Sequence, residues 1–331
     1  MNGVSCCNRS VKIVLSGGTG RLGRVVVKKF LQRKHSLNLI VRDKKKAEKL
    51  FRGLKGKITF FEADFCDAGR QAGLVLRRAC KGARVAVHAA AVVDADGEKD
   101  FLKCNVGGTK RFLQACKLEK VKKFVLVSST AVYKKPLYVP IDEEHSFTPL
   151  NEYGKSKLAA EKAVRASGLD YFILRPCLIY GPGFSQGFKQ VARAIEVGVM
   201  PVVGRGKNRI ALVHVDDAAG AVVLASESNV VNEDVIICGE ALSQLECFKL
   251  VARALKKKPL FVFVPKVVLV ACVVAVHSAF KLFGVKSFLR ADYVDVLGDD
   301  RFFSSKKARR LLGYRAKKRF SGAVEGLNGW F

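Results

Sequence analysis

The short apolar run Val11–Ser16 leads directly into Gly17-Gly18-Thr19-Gly20-Arg21-Leu22-Gly23. Few sequence features restrict a fold more tightly. The run has the length of a buried strand, and Arg21–Lys34 has the apolar spacing of a helix, so the glycines fall at a strand-to-helix turn. There the first glycine permits a sharp bend, the second lets the backbone approach a bound group, and the third lets helix pack on strand. The opening helix offers unpaired N–H groups and a partial positive charge, a natural seat for a pyrophosphate. Gly17, Gly20, Arg21, Leu22 and Gly23 are the candidate residues of that seat.

The alternation continues downstream, with further apolar runs at Leu37–Val41, Ile58–Glu62, Arg84–Ala89, Lys123–Ser128 and Tyr171–Arg175, separated by helical stretches. Apolar strands alternating with helices predict an α/β fold, a doubly wound parallel sheet covered on both faces. Beyond Pro176 the rhythm loosens. The expected organisation is an N-terminal tail over 1–10, a dinucleotide-binding Rossmann domain over 11–175, and a smaller C-terminal substrate lobe over 176–331, interleaved with the last sheet strands.

Two positions bear on the dinucleotide. The second strand ends Val41-Arg42-Asp43: an arginine there meets a 2′-phosphate, whereas an acidic residue bonds a ribose 2′-hydroxyl. Arg42 comes first and three lysines follow, which tilts the reading toward NADP and leaves NAD open through Asp43. After the third strand, Asp64-Phe65 places a carboxylate where it either accepts from an adenine amino group or caps a turn.

Tyr153 and Lys157 are spaced i, i+4, so on a helix they share one face. A nearby ammonium favours ionised phenol and is expected to draw the tyrosine down from its usual value near 10. Upstream, the strand Lys123–Ser128 ends in Ser128-Ser129-Thr130, and hydroxyls at the carboxyl tip of a parallel strand face the ligand crevice. Ser129 would hold a substrate oxygen while Tyr153 exchanges its proton. The catalytic candidates are Ser129, Tyr153 and Lys157, with Thr130 beside the substrate.

Taken together, these motifs resemble the extended short-chain dehydrogenase/reductase superfamily, also called the NAD-dependent epimerase/dehydratase superfamily. The resemblance extends to His88-Ala89-Ala90-Ala91, Asn105-Val106-Gly107-Gly108-Thr109, Arg175-Pro176, Tyr180-Gly181-Pro182-Gly183 and His214-Val215-Asp216-Asp217-Ala218. It implies Ser129, Tyr153 and Lys157 as the catalytic triad, Tyr153 and Lys157 also touching cofactor, Asp64, Phe65, Ala89 and Asn105 at the cofactor site, and Pro176 near the nicotinamide. Within the superfamily, Arg301-Phe302-Phe303-Ser304-Ser305 continuing to Leu312-Gly313-Tyr314 is similar to the dihydroflavonol-reductase-like, hopanoid-associated epimerase and 3β-hydroxysteroid dehydrogenase branch. Nucleotide-sugar enzymes of this type carry an asparagine where Leu178 stands here, although Arg209 matches their downstream arginine. Leu178 and Arg209 are therefore the remaining substrate candidates.

That implies hydride transfer between NADP or NAD and a secondary alcohol or ketone of a fairly apolar small molecule. Two alternatives stand beside it: a nucleotide-sugar 4-epimerase or dehydratase with tightly bound NAD, and a non-catalytic nucleotide-binding subunit. The superfamily also leaves a homodimer open.

The net charge of +30 attracts polyanions, yet no aromatic RNA-binding signature, zinc finger or basic zipper accompanies it, which argues against nucleic acid. Ten cysteines without a C-x-x-C pair, some inside apolar runs such as Cys238 and Cys272, read as reduced, buried thiols of a cytoplasmic protein. Neither His88 nor His214 sits in a metal-ligand cluster; both read as core residues, and no metal is expected. Val267–Phe280 lacks any Lys, Arg, Asp or Glu but is shorter than the ~20 residues of a spanning helix. It reads first as a buried or half-buried helix, and second as a peripheral membrane contact through 265–283.

Overall fold

The computed structural model describes residues 10–93, 101–133, 136–149, 151–184, 187–282 and 298–330. All but Ser10 of the tail expected over 1–10 lies outside them. The first half alternates strand and helix: β1 (Lys12–Ser16), α1 (Arg21–Gln32), β2 (Ser36–Val41), α2 (Lys44–Phe51), β3 (Ile58–Glu62), α3 (Arg70–Cys80) and β4 (Val85–His88). A π-helical turn over Leu102–Gly107 runs into α4 (Gly108–Leu118), followed by β5 (Lys123–Val127), a short 3-10 turn at Thr130–Val132, α5 (Glu152–Arg165) and β6 (Asp170–Pro176).

These strands form a parallel sheet in the order β3-β2-β1-β4-β5-β6, and β10 (Glu233–Ile237) closes it beside β6. The order reverses between β1 and β4, and in open α/β sheets ligands bind outside the carboxyl ends of the strands at that switch point. Every residue of β4 and β5 is buried, as a sheet covered on both faces requires. Val26 and Phe30 of α1 pack one face together with Ala218 and Val222 of α7 (Val215–Glu227). Leu76 of α3, Phe112 of α4 and Ala160 and Val164 of α5 fill the other.

The remaining elements build the lobe. β7 (Leu178–Tyr180), β9 (Arg209–His214) and β11 (Glu240–Ser243) form one small sheet; β8 (Val199–Val203) and β12 (Leu260–Val264) form a parallel pair. The lobe has its own core, in which Tyr180, Phe188, Phe320 and Trp330 meet edge to face or tilted. α6 (Phe188–Val197) and α8 (Gln244–Ala254) cover it.

One expectation holds and one is corrected. The helix after Pro265, α9 (Lys266–Leu282), is half-buried over its described side chains: Lys266, Leu269 and Val270 are partly covered and Val273 is buried along one face, while Val267 at 80% and Val268 at 50% are exposed on the other. A helix apolar on every side carries no periodicity to say which face, if any, is covered. The cysteines are not all free. Cys66 and Cys104, 38 residues apart, form a disulfide, because the loop after β3 and the π-helical turn converge beside β4. Cys238 is buried as expected, but Cys272 is exposed.

Candidate active site

The glycine turn has the geometry of a phosphate seat. Gly17 adopts φ +74°, and a Cβ there would lie 2.5 Å from the Ala90 backbone nitrogen. A Cβ on Gly23 would lie 2.0 Å from the Gly17 carbonyl oxygen, so only glycine lets α1 close onto the turn. The helix starts at Gly20 without a side-chain cap and without an acidic residue in its first turn, which leaves its N-terminal N–H groups and positive end for an anion. Leu22 packs on the sheet core, and the Arg21 side chain approaches Gly183 of the Tyr180–Gly183 loop. These residues fit a dinucleotide pyrophosphate.

Around this seat, Arg42 is exposed at the end of β2, while Asp43 caps α2 by accepting from the Lys46 N–H at 2.8 Å. Asp64 accepts from the Cys66 N–H at 2.8 Å in a tight turn, and Phe65 is buried against His88 and Phe112. Ala89 lies half-buried under Gly17. His88 is buried and doubly bonded, to the Ser16 hydroxyl at 2.6 Å and the Thr109 hydroxyl at 3.0 Å. Burial, helped by Lys157, pushes its pKa down to about 3, so it is a neutral core residue. His214 is likewise enclosed, against Tyr180 and over Gly181.

Asn105 is a clamp. Its amide oxygen accepts from the Val92 N–H at 2.8 Å, and its nitrogen donates to the Val92 carbonyl and the Ser156 hydroxyl, each at 3.0 Å. The loop after β4 is thereby tied to α5. That helix begins with Asn151 accepting from the Gly154 N–H at 2.9 Å. A Cβ on Gly154 would sit 2.3 Å from the Ala131 carbonyl oxygen, so this glycine lets α5 press onto the 3-10 turn that follows Ser129.

The close approach sets Tyr153 near Ser129, whose hydroxyl favours the ionised phenol. Ser129 also accepts from the Ala131 N–H at 3.1 Å, and Thr130 donates to the Pro176 carbonyl at 3.3 Å, setting the ends of β5 and β6 side by side. Lys157 follows one turn after Tyr153, its ammonium 6.0 Å from the ring centroid and donating to the Val127 carbonyl at 2.8 Å.

The electrostatics depart from expectation. Burial pushes the Tyr153 phenol up to about 12 against the pull of the Ser129 hydroxyl. Burial also brings Lys157 down to about 8, despite the opposing charge of Glu161. Desolvation outweighs the cation, whose ammonium is turned onto a carbonyl, so the phenol rests fully protonated.

Sequence reasoning missed the network beneath. Glu161 and Arg175 are both fully buried; Arg175 makes two hydrogen bonds to the Glu161 carboxylate, at 3.0 and 2.8 Å, and Ser128 donates a third at 2.6 Å. Arg175 also bonds the Tyr133 hydroxyl at 2.8 Å and pairs with Asp234 at 2.5 Å. Arg209 is placed apart: Asp300 grips its guanidinium at 3.0 and 2.6 Å, over the Phe302 ring. Leu178, at the start of β7, is 48% exposed. No group of His, Cys, Asp and Glu able to hold a metal occurs among the described residues, and no described helix is long and apolar enough to cross a membrane.

A Rossmann sheet with an open pyrophosphate seat at its switch point, and a tyrosine–lysine pair beside it, defines a nucleotide-cofactor fold of the extended short-chain dehydrogenase/reductase type. Residues 13–239 match the NAD dependent epimerase/dehydratase family, and the chain belongs to that family. It is 30% identical over 211 residues to a ceramide reductase of Caulobacter vibrioides, covering 64% of this chain and 59% of the relative. It is also 30% identical over 236 residues to a putative UDP-glucose 4-epimerase of Methanocaldococcus jannaschii, covering 64% and 72%. An uncharacterized Sinorhizobium fredii protein, y4nG, is 32% identical over 235 residues, 67% of this chain and 55% of that one. The match thus spans little more than half the length of several curated relatives. Among solved structures, gox2253 superposes with a TM-score of 0.79 at 25% identity, covering 98% of each chain. The Bordetella bronchiseptica enzyme WbmG in complex with NAD superposes at 0.76 with 19% identity over 98% and 95%.

Proposed function

We propose that the chain is an NAD(P)-dependent oxidoreductase that interconverts a secondary alcohol and a ketone on a small, fairly apolar substrate, with Tyr153 as general acid/base. The observation that carries this reading is Tyr153 with the Lys157 ammonium 6.0 Å from its ring centroid, on a helix that Gly154 lets press onto the turn after Ser129. A bound nicotinamide supplies or accepts the hydride. For reduction, Ser129 orients the substrate oxygen and Tyr153 gives its proton to the alkoxide that forms there. Lys157 supports the phenolate left behind, and in oxidation the proton returns by the same route.

Leu178 and the engagement of Arg209 by Asp300 both favour an apolar substrate over a nucleotide-sugar diphosphate. Arg42, exposed beside an Asp43 whose carboxylate already caps α2, supports NADP. Tyr153→Phe provides the test. It should cut turnover of hydroxysteroid, isoprenoid or phenolic ketones by about 10²-fold or more, followed by nicotinamide absorbance, while cofactor affinity holds. Unchanged turnover in the variant defeats the mechanism. Thermal stabilisation by a UDP-sugar, with no ketone reduced, moves the assignment to epimerisation.

A further inference from the structure

The outward face of the β8–β12 pair is apolar and open. In its parallel register Val199 stands beside Leu260 and Pro201 beside Val262. All four are exposed, Leu260 at 66%, whereas Met200 and Val202 point inward to the lobe core. Val197, just before the pair, is 82% exposed. β12 continues through Pro265 into α9, where Val267 and Val268 extend the same apolar character. Soluble proteins rarely leave so much contiguous hydrocarbon in water without a use for it.

Charge identifies the occupant. Lys256, Lys257 and Lys258, all exposed, lead into Leu260, and the Leu260 N–H donates to the Gly198 carbonyl at 2.8 Å, so the lysines border the patch. Glu196 is the acidic residue beside Val197; Asp299 is paired with Lys266 at 3.0 Å. A lysine rim around an apolar face is the arrangement that an anionic bilayer surface binds, headgroups to the ammonium groups and acyl boundary to the side chains. A second copy is a poorer fit, since it would press two chains of net charge +30 together through two lysine triplets. No described helix, α9 included, is long and apolar enough to cross a membrane.

We propose that the outward face of β8–β12, with the first turns of α9, docks the protein on an anionic lipid surface. This stands apart from the catalytic reading, and the two fail separately. The test is co-sedimentation of the full chain with vesicles of phosphatidylcholine alone or mixed with phosphatidylglycerol. The protein sediments with the mixed vesicles and not with the neutral ones. Leu260→Glu with Val267→Glu lowers partitioning by about tenfold or more, and the triple Lys→Gln change at 256–258 lowers it on the order of a hundredfold. Dinucleotide binding and melting temperature, measured on the same variants, remain at wild-type values and show that the fold is intact. Absence of sedimentation overturns the proposal. So does equal sedimentation of the apolar variant, which would assign binding to the general basic surface. A dimer in light scattering that Leu260→Glu dissociates reassigns the face to a second copy.

Discussion

Replacing Glu161 by Ala removes the anion at the centre of the buried network and leaves Arg175, with no exposed side-chain surface, without its bidentate partner. Breaking a buried pair from one side typically costs about 3–5 kcal/mol, because the remaining charge stays in the interior. Asp234, at 2.5 Å from the same guanidinium, offsets part of that loss, so the lower end, about 3 kcal/mol, is expected. With a urea m-value of about 3 kcal/mol per molar, the unfolding midpoint should fall by about 1 M. The double variant Glu161→Met, Arg175→Met should be far less destabilised than the sum of its singles, since an apolar pair needs no charge compensation. Urea titrations of the wild type, Glu161→Met, Arg175→Met and the double give the full cycle, with Glu161→Ala measured beside them. A Glu161→Ala midpoint within about 0.2 M of wild type, or strictly additive singles, would refute the account of this network as a buried ion pair.

Three further outcomes follow from the geometry. Gly23→Ala should abolish dinucleotide binding in a fluorescence titration while far-ultraviolet circular dichroism stays native in shape; a normal affinity would mean that the turn does not seat the pyrophosphate. Lys157 titrates near 8 when folded and 10.5 when unfolded, so below pH 8 the fold bears the cost of burying its charge, and stability returns as pH rises through that window. Lys157→Met should therefore be most stable relative to wild type below pH 8, with the difference shifting by about 3 kcal/mol toward wild type by pH 10.5; a pH-independent difference contradicts the assignment. Reduction of Cys66–Cys104 should lower stability by about 2–4 kcal/mol, and Cys66→Ser should be insensitive to reductant; alkylation and intact mass showing both thiols free in the untreated protein would remove the cross-link.

The sheet and the proximity of Tyr153 to Lys157 were legible because each is local. An apolar run followed by three spaced glycines names strand, turn and helix within seven residues, and Tyr153 and Lys157 are coupled by one helical turn. What escaped was non-local. Glu161 is spaced i, i+4 from Lys157, but nothing nearby announces that Arg175, on another strand, closes onto it. The Asn105 amide bonds Val92 and Ser156, a clamp between segments far apart in the chain. The Cys66–Cys104 pairing depends on two loops meeting, which leaves no periodic trace.

Three unrelated forces hold α5 in one position. Gly154 allows steric closure on the Ala131 carbonyl, Asn105 bonds Ser156 within the helix, and Glu161 anchors its later turns to β6 through Arg175. The position of Tyr153 near Ser129 is thus set by the fold, and an enzyme gains most from groups already placed. The same packing that fixes the phenol also dries it, which is why its pKa rises although a lysine stands one turn away. Rigidity and protonation state at this tyrosine are consequences of one burial.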